Sequence, residues 1–233
     1  MGPPLFALAG VGLRRGETDI LRDVDLTIDD GGITVIVGAS GAGKSTLLRC
    51  LNRLECPTSG TIRFRGEPLA DIDPLAHRRR VAMVFQSPTP FPGTVSDNLR
   101  AVAPDLTDDD ACALLRRVGF DRALLDRSAD DLSGGEAQRL VLARALTTDP
   151  EVLLADEATS ALDATATRRL EGLARAMADD GMPVLWVSHD LEQAKRLADH
   201  LVVTRAGRVT WSGPAADPAA EPAVRDALQE QGS

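Results

Sequence analysis

Apolar and polar positions follow two alternating patterns along this chain of 233 residues. Short runs rich in Val, Ile and Leu are separated by longer segments in which apolar residues recur every three or four positions. Strands that alternate with helices in this way are typical of α/β folds with a largely parallel sheet. The predicted strands are Phe6–Leu13, Val24–Ile28, Ile33–Val37, Thr61–Phe64, Val81–Val84, Val152–Ala155, Val184–Val187, Leu201–Thr204 and Arg208–Trp211.

The helical segments carry recognisable end signals. Thr107 and Asp163 are good N-caps for the segments that follow them, and Gly181 stands where a C-terminal glycine would end a helix. The predicted helices are Gly43–Leu54, Val95–Val102, Asp108–Val118, Gly134–Thr147, Ala164–Asp180, Leu191–Ala198 and Ala219–Gln229.

Two parts of the chain depart from strict alternation. The first two predicted strands and Thr61–Phe64 are not separated in the way that parallel strands require, so we expect an antiparallel β piece beside the parallel sheet. Between about Ser87 and Arg139 the pattern is helical without a strand, which predicts a helical subdomain, approximately residues 87–140, inserted in the α/β core. We expect a single domain over residues 1–233, and we interpret Arg78–Arg80 as a solvated basic turn.

Composition narrows the classes of partner. The net charge of −9 argues against binding bare nucleic acid through charge, so we expect no nucleic-acid partner. The three cysteines, an odd number without close pairing, indicate free thiols rather than a disulfide framework. No apolar run reaches the roughly 18 residues that a membrane span needs. The start, Met1–Pro4, lacks signal-peptide features, and we expect a cytoplasmic chain.

The strongest chemical signal is a glycine-rich loop between a predicted strand and a predicted helix. Its sequence, Gly38-Ala39-Ser40-Gly41-Ala42-Gly43-Lys44-Ser45-Thr46, fits the phosphate-loop pattern G-x-x-x-x-G-K-[S/T]. Glycines let successive backbone N–H groups point at an anion, and the helix N-terminus adds its positive end. Lys44 would reach the β- and γ-phosphates of a nucleotide, and the Ser45 hydroxyl would ligate Mg²⁺.

Two further segments could contribute to nucleotide binding or hydrolysis together with that loop. The apolar strand Val152–Ala155 runs into Asp156 and Glu157, which could hold Mg²⁺ and activate a water respectively, although many strands end in acids that only meet solvent. Strand alternation places Glu157 on the face opposite Asp156. Ser133, Gly134 and Gly135 begin a predicted helix and offer either a second anion site or an ordinary N-cap.

The motifs together resemble those of the ATP-binding cassette (ABC) ATPases. Leu132–Glu136 is similar to the family signature, Gln86 to the Q-loop glutamine, Ser160–Asp163 to the D-loop and His189 to the switch histidine. The resemblance covers nearly the whole chain and implies the phosphate-loop NTPase fold with a RecA-like core. It also implies ATP and Mg²⁺ as cofactors.

The resemblance assigns roles to these residues. Two copies would pack head to tail, each ATP lying between one phosphate loop and the other chain's Ser133–Gly135 turn. Gln86 would join Ser45 and Asp156 around Mg²⁺. His189 would contact the γ-phosphate beside the catalytic Glu157.

This sequence departs from the family at two positions. An aromatic residue often stacks on adenine before the phosphate loop, but the matching stretch, Gly12–Gly16, offers Arg15, whose guanidinium plane can also stack on a base. Ala158 stands where a proline is frequent after the catalytic glutamate, and we expect it to change the chemistry little.

The resemblance favours the energy-coupling ATPase of a transporter with a separate membrane permease, bound peripherally at the cytoplasmic face of the membrane. A soluble ATPase of DNA maintenance or translation is the alternative, and a small phosphate-loop kinase is disfavoured by the signature and His189. Gln86–Val95 resembles phosphate importers and also small metal-export cassettes. Phe91, among prolines, is interpreted as the permease anchor, or else as a plug between subdomains.

Overall fold

The computed structural model describes residues 2–228, which form two sheets and eight helices. The strands are β1 (Phe6–Arg15), β2 (Thr18–Ile28), β3 (Ile33–Val37), β4 (Ser59–Phe64), β5 (Glu67–Pro68), β6 (Val81–Val84), β7 (Val152–Asp156), β8 (Val184–Ser188), β9 (His200–Arg205) and β10 (Arg208–Pro214). The helices are α1 (Lys44–Leu51), α2 (Pro74–Arg80), α3 (Val95–Arg100), α4 (Asp108–Arg117), α5 (Gly134–Leu146), α6 (Ala164–Asp179), α7 (Leu191–Leu197) and α8 (Ala220–Leu228).

The larger sheet has the strand order β10-β9-β3-β8-β7-β6 and is parallel except for β10. Strands β3, β7 and β8 are buried at every position, because helices and the second sheet cover both faces. The smaller sheet, β2-β1-β4-β5, is the predicted antiparallel piece. The α/β fold with an antiparallel β piece is therefore confirmed.

Two apolar cores lie on opposite faces of the larger sheet. Ile33, Val35 and Val37 point into the core that contains the helical segment, whereas Ile36 points into the core shared with α1 and the antiparallel sheet. This alternation along β3 follows from the two-residue period of a strand. Helix α1, which follows the predicted phosphate loop, therefore lies between the two sheets.

The predicted helical segment lies between β6 and β7. Helices α3, α4 and α5 share a core that includes Leu99, Leu115 and Phe120. The only pairing of extended backbone described there is an isolated bridge between Thr94 and Ser128. Helix α5 also packs on β6 of the larger sheet.

Several predicted element boundaries moved, and β2 shows the largest shift, since it begins at Thr18 rather than Val24. Helix α1 ends at Leu51 rather than Leu54, since Asn52 is its C-cap and Arg53 has a left-handed φ of 56°. Helix α3 ends at Arg100 rather than Val102. The last predicted helix residue, Gln229, lies outside the described residues.

The interpretation of Arg78–Arg80 as a solvated turn was wrong. These residues form the last turn of α2, a helix that begins after Asp73, whose carboxylate accepts hydrogen bonds from two backbone N–H groups. Arg78 donates to the carbonyl of Arg53 at 2.6 Å, and Arg80 pairs with Glu151 at 2.5 Å. Partners distant in the sequence therefore hold Arg78 and Arg80, whereas Arg79 is exposed. None of the helices within residues 2–228 has the length and apolar character required to cross a bilayer.

Candidate active site

The loop between β3 and α1 turns tightly and packs against β9. Gly43 precedes α1 with a φ of 94°, a left-handed value that glycine adopts without strain. A Cβ on Gly38 would lie 2.3 Å from the carbonyl oxygen of Thr204, too close for any other residue. Two of the glycines in the predicted phosphate loop are thus required by the backbone conformation and by packing.

Lys44 is the first residue of α1, and its side chain is 4% exposed. Its Nζ donates to the carbonyl oxygens of Gly38 at 2.8 Å and Ala39 at 2.9 Å and lies 3.8 Å from Glu157 Oε1. Burial lowers the pKa of Lys44, while the carboxylates of Glu157 and Asp156 oppose that shift. The ammonium therefore bridges the glycine loop and the acidic end of β7.

Ser45 and Asp156 meet across the site. Ser45 Oγ donates to Asp156 Oδ1 at 2.6 Å, and Asp156 is buried at the last position of β7. Burial raises the pKa of Asp156, and the Ser45 hydrogen bond opposes the shift. A hydroxyl and a buried carboxylate side by side are hard oxygen ligands of the kind that Mg²⁺ takes, and a cation there would offset the cost of the buried charge. The residues therefore fit the implied metal.

Glu157 does not continue the strand. It has a φ of 47°, which turns the chain out of the sheet, and its carbonyl accepts from the backbone N–H of Ser160 at 3.0 Å. A non-glycine residue in this region costs about 1–3 kcal/mol, and such strain is concentrated at functional sites. The turn brings Glu157 Oε2 to 3.3 Å from His189 Nδ1.

The strand order explains how the motifs meet. β3, β8 and β7 are neighbours, so the loops that follow them lie at one carboxyl edge of the sheet, the usual ligand edge in α/β folds. Gln86 reaches the same edge, because Val84 pairs with Ala155. It is exposed, and its side chain makes no hydrogen bond within the described part of the chain. The structure does not bring it into contact with Ser45 or Asp156.

The Ser133–Gly135 turn lies in a separate cleft. Ser133 and Glu136 form a reciprocal capping box at the start of α5, which lowers the pKa of Glu136. The turn lines a cleft of about 420 Å³ together with Arg139 and Arg169. No residue of the phosphate loop lines this cleft. One chain therefore carries two candidate anion sites that do not face each other across a common cavity.

Arg15, predicted to stack on a base, is bound elsewhere. Its guanidinium donates to the carboxylate of Glu55, and Arg49 Nη1 lies 3.6 Å from the same carboxylate. Glu55 follows the C-terminal end of α1, whereas the phosphate loop precedes its N-terminal end. The ion pair must open before Arg15 can stack on a nucleotide bound at the loop.

Phe91 is held rigidly but is not buried. Its ring is 45% exposed, and Arg144 Cζ lies 4.1 Å from the ring centroid. Asn98, fully buried, accepts from the backbone N–H of Phe91 at 2.7 Å and donates to its carbonyl at 3.0 Å. The plug interpretation requires a buried ring, which the observed exposure disfavours.

Sequence reasoning missed two residues that bind predicted site residues or the loops that carry them. Glu55, which binds Arg15, is an isolated acid after a helix and gives no sequence signal. Gln193 lies buried on α7, beside Ala194 and on the same apolar face as Leu197. A polar residue on an apolar helix face was the available signal for Gln193.

The chain is similar in sequence to proteins of a known family. The sequence model of the ABC transporter family matches residues 21–160. The chain is 46% identical over 200 residues to Protein STAR1 of Oryza sativa subsp. japonica, covering 84% of this chain but 58% of that protein. It is 39% identical over 206 residues to the phosphate import ATP-binding protein PstB 3 of Natronomonas pharaonis, covering 82% and 74%.

Two solved structures share the fold. CbiO1 of Clostridium perfringens, part of the ABC transporter complex CbiONQ, has a TM-score of 0.85 at 27% identity, covering 95% of this chain and 93% of that one. The ATP-binding cassette MJ0796, a dimer in a post-hydrolysis state with ADP and Pi, has a TM-score of 0.79 at 26% identity, covering 91% and 99%.

Proposed function

The chain belongs to the ABC transporter family, and from this premise we propose that it is an ATPase subunit that powers a separate membrane permease. The observation that supports the proposal best is that three groups lie at one edge of the sheet. These groups are the Lys44 ammonium, the Ser45–Asp156 pair and the Glu157–His189 pair. No other cluster in residues 2–228 combines a phosphate cradle, metal ligands and a general base.

Nucleotide binding is assigned to residues 38–46. The loop N–H groups and Lys44 would hold the phosphates, the ammonium exchanging the carbonyls of Gly38 and Ala39 for phosphate oxygens. Ser45 and Asp156, joined by Gln86, would hold Mg²⁺, which neutralises phosphate charge when bound. Arg15 would support the base once it leaves Glu55.

Hydrolysis is assigned to Glu157 and His189. The Glu157 carboxylate orients the attacking water and accepts its proton, which is the role that general-base catalysis requires. His189 lies 3.3 Å from that carboxylate and holds its orientation while the other ring nitrogen is free to face the γ-phosphate. Lys44 contributes its positive charge to the charge that develops on the transferred group.

The second copy completes the site. The Ser133–Gly135 turn is a helix start with free N–H groups, yet it faces its own cleft rather than the phosphate loop. A head-to-tail dimer with two-fold symmetry would place this turn of one chain over the ATP of the other, giving two equivalent sites.

The permease is assigned to the surface around Phe91, and we place the chain at the cytoplasmic face of the membrane. Three of the five large apolar side chains that are exposed within residues 2–228 lie in residues 85–102: Phe85, Phe91 and Val102. A rigid, half-exposed ring loses little entropy on docking. Phosphate is the first substrate to test, because residues 86–95 resemble phosphate importers.

The catalytic part is tested with Glu157→Gln. We expect turnover to fall by about 10² or more while ATP stays bound, because the water loses its base. Light scattering should then show an ATP-dependent dimer. Lys44→Ala is the contrasting variant, and it should lose nucleotide binding itself. Native turnover in Glu157→Gln would show that another residue is the base.

The transport part is tested by purifying the tagged chain from detergent-solubilised membranes of its native host. We expect a multi-span membrane protein to co-purify. Phe91→Ala should abolish co-purification at near-native basal ATPase, whereas Phe91→Leu should keep it, since leucine preserves an apolar anchor. An active ATPase that stays in the soluble fraction without a membrane partner would favour the soluble alternative.

A further inference from the structure

Four polar side chains form a continuous hydrogen-bonded network in the interior. Gln193 is at its centre: its Oε1 accepts from Trp186 Nε1 at 3.3 Å, and its Nε2 donates to Thr159 Oγ1 at 2.9 Å and to Glu171 Oε1 at 3.0 Å. All four residues are at most 9% exposed. Gln193 therefore uses both ends of its amide to join three different elements.

The charge within the network is balanced. Arg196 Nη2 donates to Glu171 Oε1 at 2.8 Å, and Arg196 Nε lies 3.3 Å from Oε2. A buried carboxylate without such a partner would be strongly destabilising. Networks of this kind add little stability over an apolar core, but they specify one arrangement of the groups that they join.

The network connects the segments that carry the two proposed catalytic residues. Thr159 lies two residues after Glu157, on the same turn. Trp186 lies three residues before His189, and Gln193 lies four residues after it. One small cavity of about 140 Å³ is lined by Glu157, His189 and Gln193 together, so the amide lies directly behind the catalytic pair.

The Glu157 turn needs an external restraint. Its left-handed φ of 47° is unfavourable for glutamate. Within the turn, the backbone N–H of Ser160 donates a hydrogen bond to the carbonyl of Glu157. The hydrogen bond from Gln193 to Thr159 restrains the same turn through helix α7, on which Gln193 lies. The hydrogen bond from the Trp186 indole connects Gln193 to β8, the strand that leads to His189.

We propose that Gln193 is a positioning residue for ATP hydrolysis: its amide sets the distance between Glu157 and His189 by tying the two loops to one buried point. This inference rests on the proposed function. It predicts that changes at the network alter turnover and leave ATP binding unchanged, because neither Gln193 nor Thr159 belongs to the phosphate loop.

The test begins with Gln193→Glu, which keeps the shape and places a second carboxylate against Glu171. Arg196 is the cation that pairs with Glu171 among residues 2–228, and Glu157, His189 and Asp190 are the titratable groups that line the adjoining cavity. Two carboxylates at this distance share one proton, so ionisation of the second would drive the loops apart. We expect kcat, relative to the native chain, to fall about tenfold as pH rises from about 6 to 9, with KM for ATP unchanged.

A charge swap supplies the matched control. Glu171→Gln alone should give no new pH dependence, since it adds no carboxylate. The double variant Gln193→Glu with Glu171→Gln restores one acid and one amide, and it should remove the pH dependence of the single variant. A merely structural role would change the melting temperature without this pH profile and without its rescue. A Gln193→Glu chain whose kcat parallels the native profile would overturn the proposal.

If Gln193→Glu does not fold, Thr159→Val provides a second test of the proposal. Valine preserves the shape and removes the hydroxyl that Gln193 binds, so kcat should fall about tenfold at unchanged KM, and Thr159→Ser should restore it. Native kcat in folded Thr159→Val would contradict the proposal. Glu157→Gln, assayed in parallel, separates failure of the proposed function from failure of the role of Gln193. If Glu157→Gln retains turnover, the proposed function is wrong. If Glu157→Gln loses turnover while the Gln193 and Thr159 variants turn over normally, only the role of Gln193 is rejected.

Discussion

At the scale of single residues, the site combines two buried charges whose pKa values move toward neutrality. Burial lowers the pKa of Lys44 and raises that of Asp156, and each group partly offsets the other. Phosphate and Mg²⁺ are the counter-charges that such a site lacks when it is empty of ligand. Binding strength is therefore obtained at the expense of the stability of the unliganded chain.

Asp156→Asn should make the unliganded chain more stable at neutral pH. The folded-state pKa of Asp156 lies above its unfolded value, so the folded protein binds that proton more tightly and stability falls as pH rises through this range. The amide removes the buried charge and keeps an acceptor for Ser45. Thermal melting without nucleotide or metal measures the effect.

The gain from Asp156→Asn should vanish at acidic pH, where the native carboxyl is protonated in both states. The same variant should lose Mg²⁺-dependent hydrolysis. A lower melting temperature at neutral pH would show that the attraction between Asp156 and Lys44 outweighs the desolvation of the carboxylate.

If Arg15 has its proposed role, Glu55 competes with a nucleotide base for its guanidinium. Glu55→Gln removes the carboxylate that holds the guanidinium, so nucleotide affinity should rise if Arg15 is the base platform. A partly exposed pair is worth at most about 1 kcal/mol, which limits the gain to about fivefold. Equilibrium titration with a fluorescent ATP analogue measures it.

Arg15→Ala is the reference for that titration. It should weaken binding, and Arg15→Tyr should be tolerated, because either a guanidinium plane or a ring can stack on a base. If Glu55→Gln and Arg15→Ala both bind as the native chain does, the base lies elsewhere.

At the scale of elements, α4 and α5 have similar N-caps, but only the start of α5 has a proposed role in the site. Thr107 Oγ1 accepts from Asp110 N at the start of α4, and Ser133 Oγ accepts from Glu136 N at the start of α5. Thr107→Ala and Ser133→Ala should each reduce stability by about 1 kcal/mol, the usual value for a lost N-cap. Urea unfolding measures that loss.

Only Ser133→Ala should also impair hydrolysis and the ATP-dependent dimer. Ser133 is proposed to face the partner's ATP, whereas Thr107 has no part in the site. Equal activity of the two variants would leave Ser133 as an ordinary cap.

At the scale of the whole molecule, hydrolysis should require two chains. Lys44→Ala disables a phosphate loop, and Ser133→Arg blocks a signature turn with a bulky side chain. Each variant alone should be inactive. A mixed dimer contains one site in which both halves are native, so random mixing should restore about a quarter of the native activity.

Specific activity measured across mixing ratios tests this directly. Restoration should be greatest at equal amounts and should be lost on dilution below the dimer affinity. Failure to complement would contradict the head-to-tail arrangement, because in a chain that completes its own site the two defects never compensate.

The sequence by itself determined every strand of the two sheets except the two-residue β5, and all of the α-helices except α2. These features depend on neighbours within a few positions: apolar period, caps such as Thr107, and glycines such as Gly43 that a tight loop requires. Helix α2 was missed although Asp73 and Pro74 are local helix-start signals; only the contacts of Arg78 and Arg80 with Arg53 and Glu151 depend on residues distant along the chain.

The tertiary structure alone decided how the motifs are arranged. The order β3-β8-β7 brings the loops of Lys44, His189 and Glu157 together, and it leaves Ser133 in another cleft. The left-handed turn at Glu157 and the contacts of Gln193 likewise depend on elements packed side by side. Periodicity and capping are local properties of the chain, whereas the bonds of Gln193 to Thr159 and Glu171 join residues 34 and 22 positions apart, and their geometry exists only after the elements have packed.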